Sequence, residues 1–369
     1  MKILHLSGEP EDFGGVLSVI RNLQTATEHL GWIHVVAVQS QYKELRKPSL
    51  RYWRSRRICS DSPNHSTLFF RALWSYFEVK RFLKQESFDI VHVHSRGTFL
   101  TGLAIALRLA RPVVYTNHGY STRVNMYRWG AEARNFHTVV LTQNMAKHYR
   151  LVPEPAKVTI ISECCSDQFF EEPLVESRSS SNQDNGIRLI GIGNIMRWKN
   201  WHLIAEAMSR MKPEDLQRLQ FSLWGPTPND PDSLAYDREL RAHIEQFKLE
   251  NHFLLRGMTL SVSDRLREAD WFVLPSTNEP CSVALIEALA LGLPALVSGS
   301  GGNVDIIQDG KTGLLFTPDN PTDLAAKLGL IAKHSVRIVE PNQIRASVRH
   351  RSASEVAKEY GRLFHDIRK

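Results

Sequence analysis

Two glutamates, Glu279 and Glu287, stand in the segment Pro275-Ser-Thr-Asn-Glu-Pro-Cys-Ser-Val-Ala-Leu-Ile-Glu287. An apolar run that reads as a strand ends at Leu274, and helical spacing begins near Val283 with Ser282 in the place of an N-cap. Amides in the first turn of such a helix offer unpaired donors and a partial positive charge, which suits a diphosphate. Glu279 precedes those amides, and Glu287 follows about 6 Å along the helix axis. Carboxylates on both sides of an anion site suit a ligand with hydroxyls at both ends, such as a sugar–diphosphate–ribose. As structure alone, the same residues would be a capped helix with two solvated glutamates.

Three further constellations sit where strands should end. Gly191-Ile-Gly-Asn-Ile-Met-Arg-Trp-Lys-Asn200 follows an apolar run. There Lys199 can meet a diphosphate as a point charge and Arg197 can grip it as a fork. Phe13-Gly14-Gly15 follows the first apolar run and opens a helical pattern, so backbone can approach a phosphate without a Cβ in the way. Thr116-Asn-His-Gly119 ends a strand-like run, and His118 can donate a hydrogen bond or exchange a proton near neutral pH. His92 and His94 alternate onto one strand face. A third ligand for a metal is not apparent in the sequence, so no metal site is expected.

The elements that must position these residues alternate. Lys2–Leu6, 34–38, 90–94, Val113–Asn117 and 138–142 read as strands, with helical patterns between them; the same alternation resumes at 189–193 and runs to 314–316. This implies two α/β domains with parallel sheets and sites at the carboxyl ends of strands. The expected organisation is a domain over 1–170, a linker over 171–186 containing the polar run 176–186, and a second domain over 187–351. An amphipathic tail helix over 352–369, with Val356, Tyr360, Leu363 and Ile367 in one stripe, is expected to pack back on the first domain.

The length of 369 residues favours two domains over one core. The chain has no apolar run of the roughly 18 residues that a membrane span needs, and its N-terminus reads as a strand rather than a leader. Cys59, Cys164, Cys165 and Cys281 form no CxxC pair or disulfide framework, so a cytoplasmic setting is expected. The net charge of +7 is concentrated early: residues 1–170 hold 22 Lys/Arg against 13 Asp/Glu. Within that half, 43–57 and 68–84 interleave basic residues with Tyr52, Trp53, Phe69, Phe70, Trp74 and Phe77. Such a segment either lies on an anionic membrane or packs its aromatics on the sheet. Nucleic-acid binding would rest on charge alone.

The spacing Glu279-x7-Glu287, with Pro-Ser before it and Glu-Ala-Leu-Ala at its end, resembles the EX7E motif of family 4 glycosyltransferases. The following block, 298–316, is similar to theirs as well. The resemblance implies a GT-B fold, two Rossmann-like domains facing across a donor-binding cleft. It implies a retaining hexosyltransferase that moves a sugar from a nucleoside diphosphate to a glycan or polyprenyl-linked acceptor, as in bacterial surface polysaccharide synthesis. Carried over, Glu279 would contact the transferred sugar, Glu287 the ribose, and the amides of Cys281, Ser282 and Val283 the sugar hydroxyls. His118 would face the sugar, and Gly14, Gly15, Arg197 and Lys199 the phosphates. Asn194 replaces the family's arginine, and Cys281-Ser282 replaces a common Phe-Gly. No DxD motif is placed to bridge a diphosphate, so neither metal nor other cofactor is expected. A non-catalytic GT-B protein that binds carbohydrate or nucleotide sugar, or a nucleotide-sugar 2-epimerase, would share much of this pattern. A dinucleotide oxidoreductase would not, because Gly191-Ile-Gly193 lacks the third glycine and the later acidic residue.

Overall fold

The computed structural model describes residues 1–12, 14–44, 50–61, 65–154, 156–175 and 186–368. Its contacts divide the chain into two units, residues 1–164 with 353–369, and residues 165–352. Most of the expected linker, 176–185, lies outside the described residues. The residues just before it belong to the second unit: the Val175 amide donates to the Leu291 carbonyl at 2.8 Å and Arg345 donates to the Glu172 carbonyl at 2.6 Å.

The first unit is built on seven parallel strands: β1 (Lys2–Leu6), β2 (Ile33–Gln39), β3 (Arg51–Ser55), β4 (Ile90–Val93), β5 (Val113–Asn117), β6 (Phe136–Val140) and β7 (Val158–Ile160), ordered β3-β2-β1-β4-β5-β6-β7. Runs of Val and Ile, buried on both faces, form its central strands, as a helix-covered parallel sheet requires. Helix α1 (Gly15–Thr27) buries Leu17, Ile20 and Leu23, and the carboxy-terminal helix Ala353–Ile367 packs beside it. That last helix buries Val356, Tyr360, Leu363 and Phe364, close to the stripe read from the sequence. Strand β3 falls inside a basic run that gives no strand signal in the sequence. As an edge strand it tolerates the exposed Arg51 and Arg54, which also discourage pairing with another chain.

The second unit carries β8 (Ile187–Ile192), β9 (Leu219–Trp224), β10 (Phe253–Gly257), β11 (Trp271–Leu274), β12 (Ala295–Ser298) and β13 (Gly313–Phe316), all parallel in the order β10-β9-β8-β11-β12-β13. In each sheet the strand order reverses once, between β1 and β4 and between β8 and β11. The loops leaving those strands diverge there and open a crevice at their carboxyl ends. Among the described residues no helix is long and apolar enough to cross a membrane.

Candidate functional site

In the second unit, Lys199 lies in the loop after β8 and Glu279 in the loop after β11, the two strands at the reversal of order. Their side chains form an ion pair, Nζ to Oε2 at 2.8 Å, with side-chain exposures of only 12% and 6%. A charge buried so deeply needs its partner, because losing one leaves the other desolvated and unpaired. The Lys199 ammonium also lies 4.3 Å from the centre of the Trp198 ring, which adds a cation–π contact.

Hydrogen bonds between the loops fix this geometry. The Thr277 amide donates to the Trp198 carbonyl at 3.0 Å, and Asp319 accepts from both Asn200 (2.9 Å) and Thr277 (3.1 Å). On the other side the Asn278 amide donates to Ser300 Oγ at 3.2 Å, and the Gly302 amide to the Glu279 carbonyl at 2.6 Å. Gly301 allows that approach: its φ is +59°, and a Cβ there would sit 2.3 Å from the Glu279 carbonyl oxygen. Gly225 does the same behind the β8 loop, where a Cβ would meet the Gly193 oxygen at 2.0 Å. The loops after β8, β11, β12 and β13 thus hold one another.

Helix Val283–Ala290 starts immediately after these contacts. Ser282 caps it, its Oγ accepting from the Leu285 amide at 3.2 Å, and its first turn holds no acidic residue. The amides of Val283 and Ala284 have no intrahelical acceptor, as at any helix start. Cys281 is buried, and its Sγ accepts from Arg351 at 3.7 Å, which anchors the residue pair that departs from the family's Phe-Gly. Glu287 is partly buried in the second turn. At Asn194 the side chain that would have been arginine is absent, and the backbone carbonyl instead accepts from Trp201 Nε1 at 3.0 Å. Arg197 is engaged away from the ion pair, forking onto Glu239 at 2.7 and 3.2 Å and lying over the Tyr236 ring.

The first unit has its own concavity. A pocket of about 300 Å³ is lined by Glu9, Asp61, His94, Arg96, His118 and Tyr120, among others. His118 reaches it from the end of β5, with both ring nitrogens engaged: Nδ1 with Glu163 at 2.5 Å and Nε2 with His94 Nδ1 at 3.0 Å. Glu163, which the sequence did not single out, follows the short strand β7 and is buried. Glu9 was missed as well. Burial, aided by Asp61, pushes its carboxyl up to about 7, so it changes charge near neutral pH inside the pocket. Gly14 takes a φ of +100° at the start of α1, with Gly15 the first helical residue; Phe13 lies outside the described residues.

Helix α2 (His65–Gln85) divides its aromatic and apolar residues between two faces. Leu68, Ala72, Tyr76, Val79 and Leu83 pack inward, whereas Phe69, Phe70, Leu73, Trp74 and Phe77 are 46–59% exposed. Arg57 lies over the Trp74 ring, and Arg71, Arg81 and Lys84 are exposed on the same helix. In the neighbouring basic run, Arg46 and Lys47 lie outside the described residues.

Two family models match the chain, "Glycosyltransferase Family 4" over residues 13–166 and "Glycosyl transferases group 1" over residues 175–347. Among curated proteins, the 2-deoxystreptamine N-acetyl-D-glucosaminyltransferase of Niallia circulans is 26% identical over 81% of this chain and 80% of its own length. The UDP-Gal:alpha-D-GlcNAc-diphosphoundecaprenol alpha-1,3-galactosyltransferase of Escherichia coli is 26% identical over 66% of each chain. Among solved structures, the sucrose-phosphate synthase of Thermosynechococcus elongatus superposes with a TM-score of 0.82 at 18% identity, over 100% of this chain and 99% of that one. Anabaena HepE in complex with UDP does so with a TM-score of 0.76 at 14% identity, over 99% of both. The fold is therefore that of the GT-B enzymes, and with two glycosyltransferase models spanning nearly its whole length the chain belongs to the group 1 and family 4 glycosyltransferases.

Proposed function

We propose that this glycosyltransferase is a retaining hexosyltransferase that takes its sugar from a nucleoside diphosphate, with the second unit as the donor-binding unit. The observation that carries this reading is the buried Lys199–Glu279 pair beside the capped start of helix Val283–Ala290. An incoming diphosphate would share Lys199 and the first-turn amides, so that the leaving phosphate's charge meets a fixed cation and fixed dipoles. Glu279 would then face the sugar, where a carboxylate stabilises an oxocarbenium-like centre, and Glu287 the ribose. Gly14 and Gly15 are proposed to approach the phosphates through backbone, and His118, held by Glu163, to orient the sugar.

In this reading no divalent ion bridges the diphosphate, and neither Mg²⁺ nor Mn²⁺ should raise the transfer rate. The acceptor is proposed to be a glycan or polyprenyl-linked sugar, in keeping with the lipid-linked acceptor in the name of the E. coli relative. The stripe Phe69, Phe70, Leu73, Trp74 and Phe77, ringed by arginine and lysine, would rest on anionic lipid at the inner face of the cell membrane.

The test is a calorimetric and thermal-shift panel of UDP- and GDP-sugars against the native chain and Glu287→Ala. One donor should bind the native chain and bind Glu287→Ala about 10-fold more weakly, the loss of roughly one hydrogen-bonded contact to a charged group. Equal affinity in both proteins would remove Glu287 from the ribose. An inverted anomeric configuration in the product would sink the retaining mechanism.

A further inference from the structure

Beneath the pocket of the first unit, the sheet gathers histidines that the transfer reaction does not require. His5 of β1 pairs in register with His92 of β4, and alternation brings His94 onto the same face. One ring nitrogen from each of these three lies within 4.8 Å of the others, and all three residues are buried. His5 Nδ1 and His94 Nε2 stand 2.9 Å apart. Among the described residues, His92 Nδ1 is buried with no hydrogen-bond partner, which is unfavourable unless something occupies it.

The opposite nitrogen of each ring faces outward to a fixed partner. His5 Nε2 meets His34 Nδ1 at 2.9 Å, and His34 Nε2 meets Thr27 Oγ1 at 3.0 Å. His94 Nδ1 meets His118 at 3.0 Å, and His118 meets Glu163. His92 Nε2 meets Thr116 at 2.7 Å, and Thr116 meets Tyr360 at 2.9 Å. When each of the three rings donates outward, His118 giving its own proton to Glu163 and Thr27 its own to the Leu23 carbonyl at 2.7 Å, every outward bond is satisfied with neutral rings. In that tautomer the bare lone pairs of His5 Nδ1 and His94 Nε2 face each other at 2.9 Å, where a cation would satisfy both; in the other tautomer His5 donates that bond to His94. Metal-bound histidines are held in this way, by outward N–H bonds that fix the tautomer.

We propose that His5, His92 and His94 form a three-imidazole site for a divalent transition metal of the zinc type. Zn–N bonds of about 2.0–2.1 Å place tetrahedral nitrogens roughly 3.3 Å apart, so the closest pair opens slightly and the other contacts, all within 4.8 Å, close by no more than about 1.5 Å. All-nitrogen donors favour zinc or its neighbours over calcium or magnesium. His94 also lines the pocket, which gives the ion an entry path. The metal ties β1 to β4 beneath the carboxy-terminal helix, and its charge reaches the His118–Glu163 pair through the His94 ring. The site does not rest on the donor reading, and its test does not involve donor.

The experiment uses the untagged full chain, stripped with chelator and titrated with Zn²⁺ and, separately, Co²⁺. The expected result is one tightly held equivalent of Zn²⁺, a rise in Tm, and intense visible bands of low-symmetry Co²⁺. X-ray absorption of the zinc form should show three imidazole shells. His92→Phe, with its fold checked by circular dichroism, should weaken Zn²⁺ binding by roughly 100-fold or more. A native chain that retains no stoichiometric metal, or a zinc shell without imidazoles, overturns the proposal and leaves a purely hydrogen-bonded histidine chain. Unchanged binding in folded His92→Phe overturns it too. If that variant does not fold, the absorption spectrum of the native chain decides alone.

Discussion

The two units share a doubly wound parallel sheet, yet they place their polar chemistry differently. In the second, the strands β8, β9, β11, β12 and β13 are largely apolar, and the polar residues of the proposed site sit in loops beyond their carboxyl ends: Lys199, Glu279, Ser282, Ser300 and Asp319. In the first, imidazoles are built into the strands themselves. His5, His34, His92 and Thr116 lie within the sheet, and the chain of contacts runs outward through His94 and His118 to Glu163. A loop site can be rebuilt one residue at a time, because each side chain is fixed by a few local hydrogen bonds. A site embedded in strands depends on register, since a one-residue slip would turn every histidine to the other face. The donor-binding machinery is proposed to be of the first kind, and the pocket of the first unit is backed by the second.

The strongest way to break this contrast is Glu279→Gln. The amide keeps the volume but loses the charge, so transfer should fall by about 10³-fold, the scale on which one electrostatic contact to a transition state acts. A urea titration run in parallel would separate that loss from the buried pair's structural role. Transfer within a few fold of the native rate would move the chemistry out of the second unit.

Next in size is the exposed face of α2. Replacing Trp74 and Phe77 together by serine removes two large apolar side chains from the proposed lipid contact, and binding to anionic vesicles should drop by roughly 30-fold. Transfer to a short soluble acceptor should be unchanged. Native protein that ignores such vesicles at low salt would leave this face without the proposed partner.

A smaller effect sharpens the description of the first unit's pocket. The folded state holds the Glu9 proton up to about pH 7, whereas an unfolded glutamate releases it near 4.5. Stability is therefore lost as pH rises from about 4.5 through 7, and the loss is complete above that. Glu9→Gln carries no charge and should be more stable than the native chain at about pH 8 by about 1–3 kcal/mol, with the difference vanishing near about pH 4. Urea unfolding at the two pH values gives the answer, and a constant difference would mean that the carboxylate is solvated. The smallest change is expected from Arg197→Ala. Its guanidinium is committed to Glu239 on an exposed surface, so donor affinity should shift by no more than about two-fold. A larger loss would show that the arginine leaves Glu239 for the diphosphate.

The legibility of the two units follows the same divide. The strands ending at Leu274 and Ser298 are legible in the sequence with the bounds the structure shows, because continuous Val, Leu and Ala runs end abruptly at turn residues. β3 and β7 are not. The first carries arginine at two of its five positions and the second is only three residues long, so neither gives an apolar signal. The silence of β7 also hides Glu163, whose meaning comes from the strand it follows. His5 in the middle of an apolar first strand and the alternating pair His92 and His94 are hints of the buried cluster, but nothing in the sequence says that β1 and β4 become neighbours with His5 opposite His92.

What the sequence determined was the chemistry of local neighbours: a strand, a turn with Glu279, the capped start of a helix and Glu287, all within the seventeen residues 271–287. Such signals survive in one dimension because backbone propensity and capping act over a single turn. Tertiary structure alone decided that Lys199 pairs with Glu279 across 80 positions, that Arg197 is given to Glu239, and that five histidines from four segments touch. Those outcomes depend on which strands become neighbours and in what register, and that is set by the packing of the whole sheet.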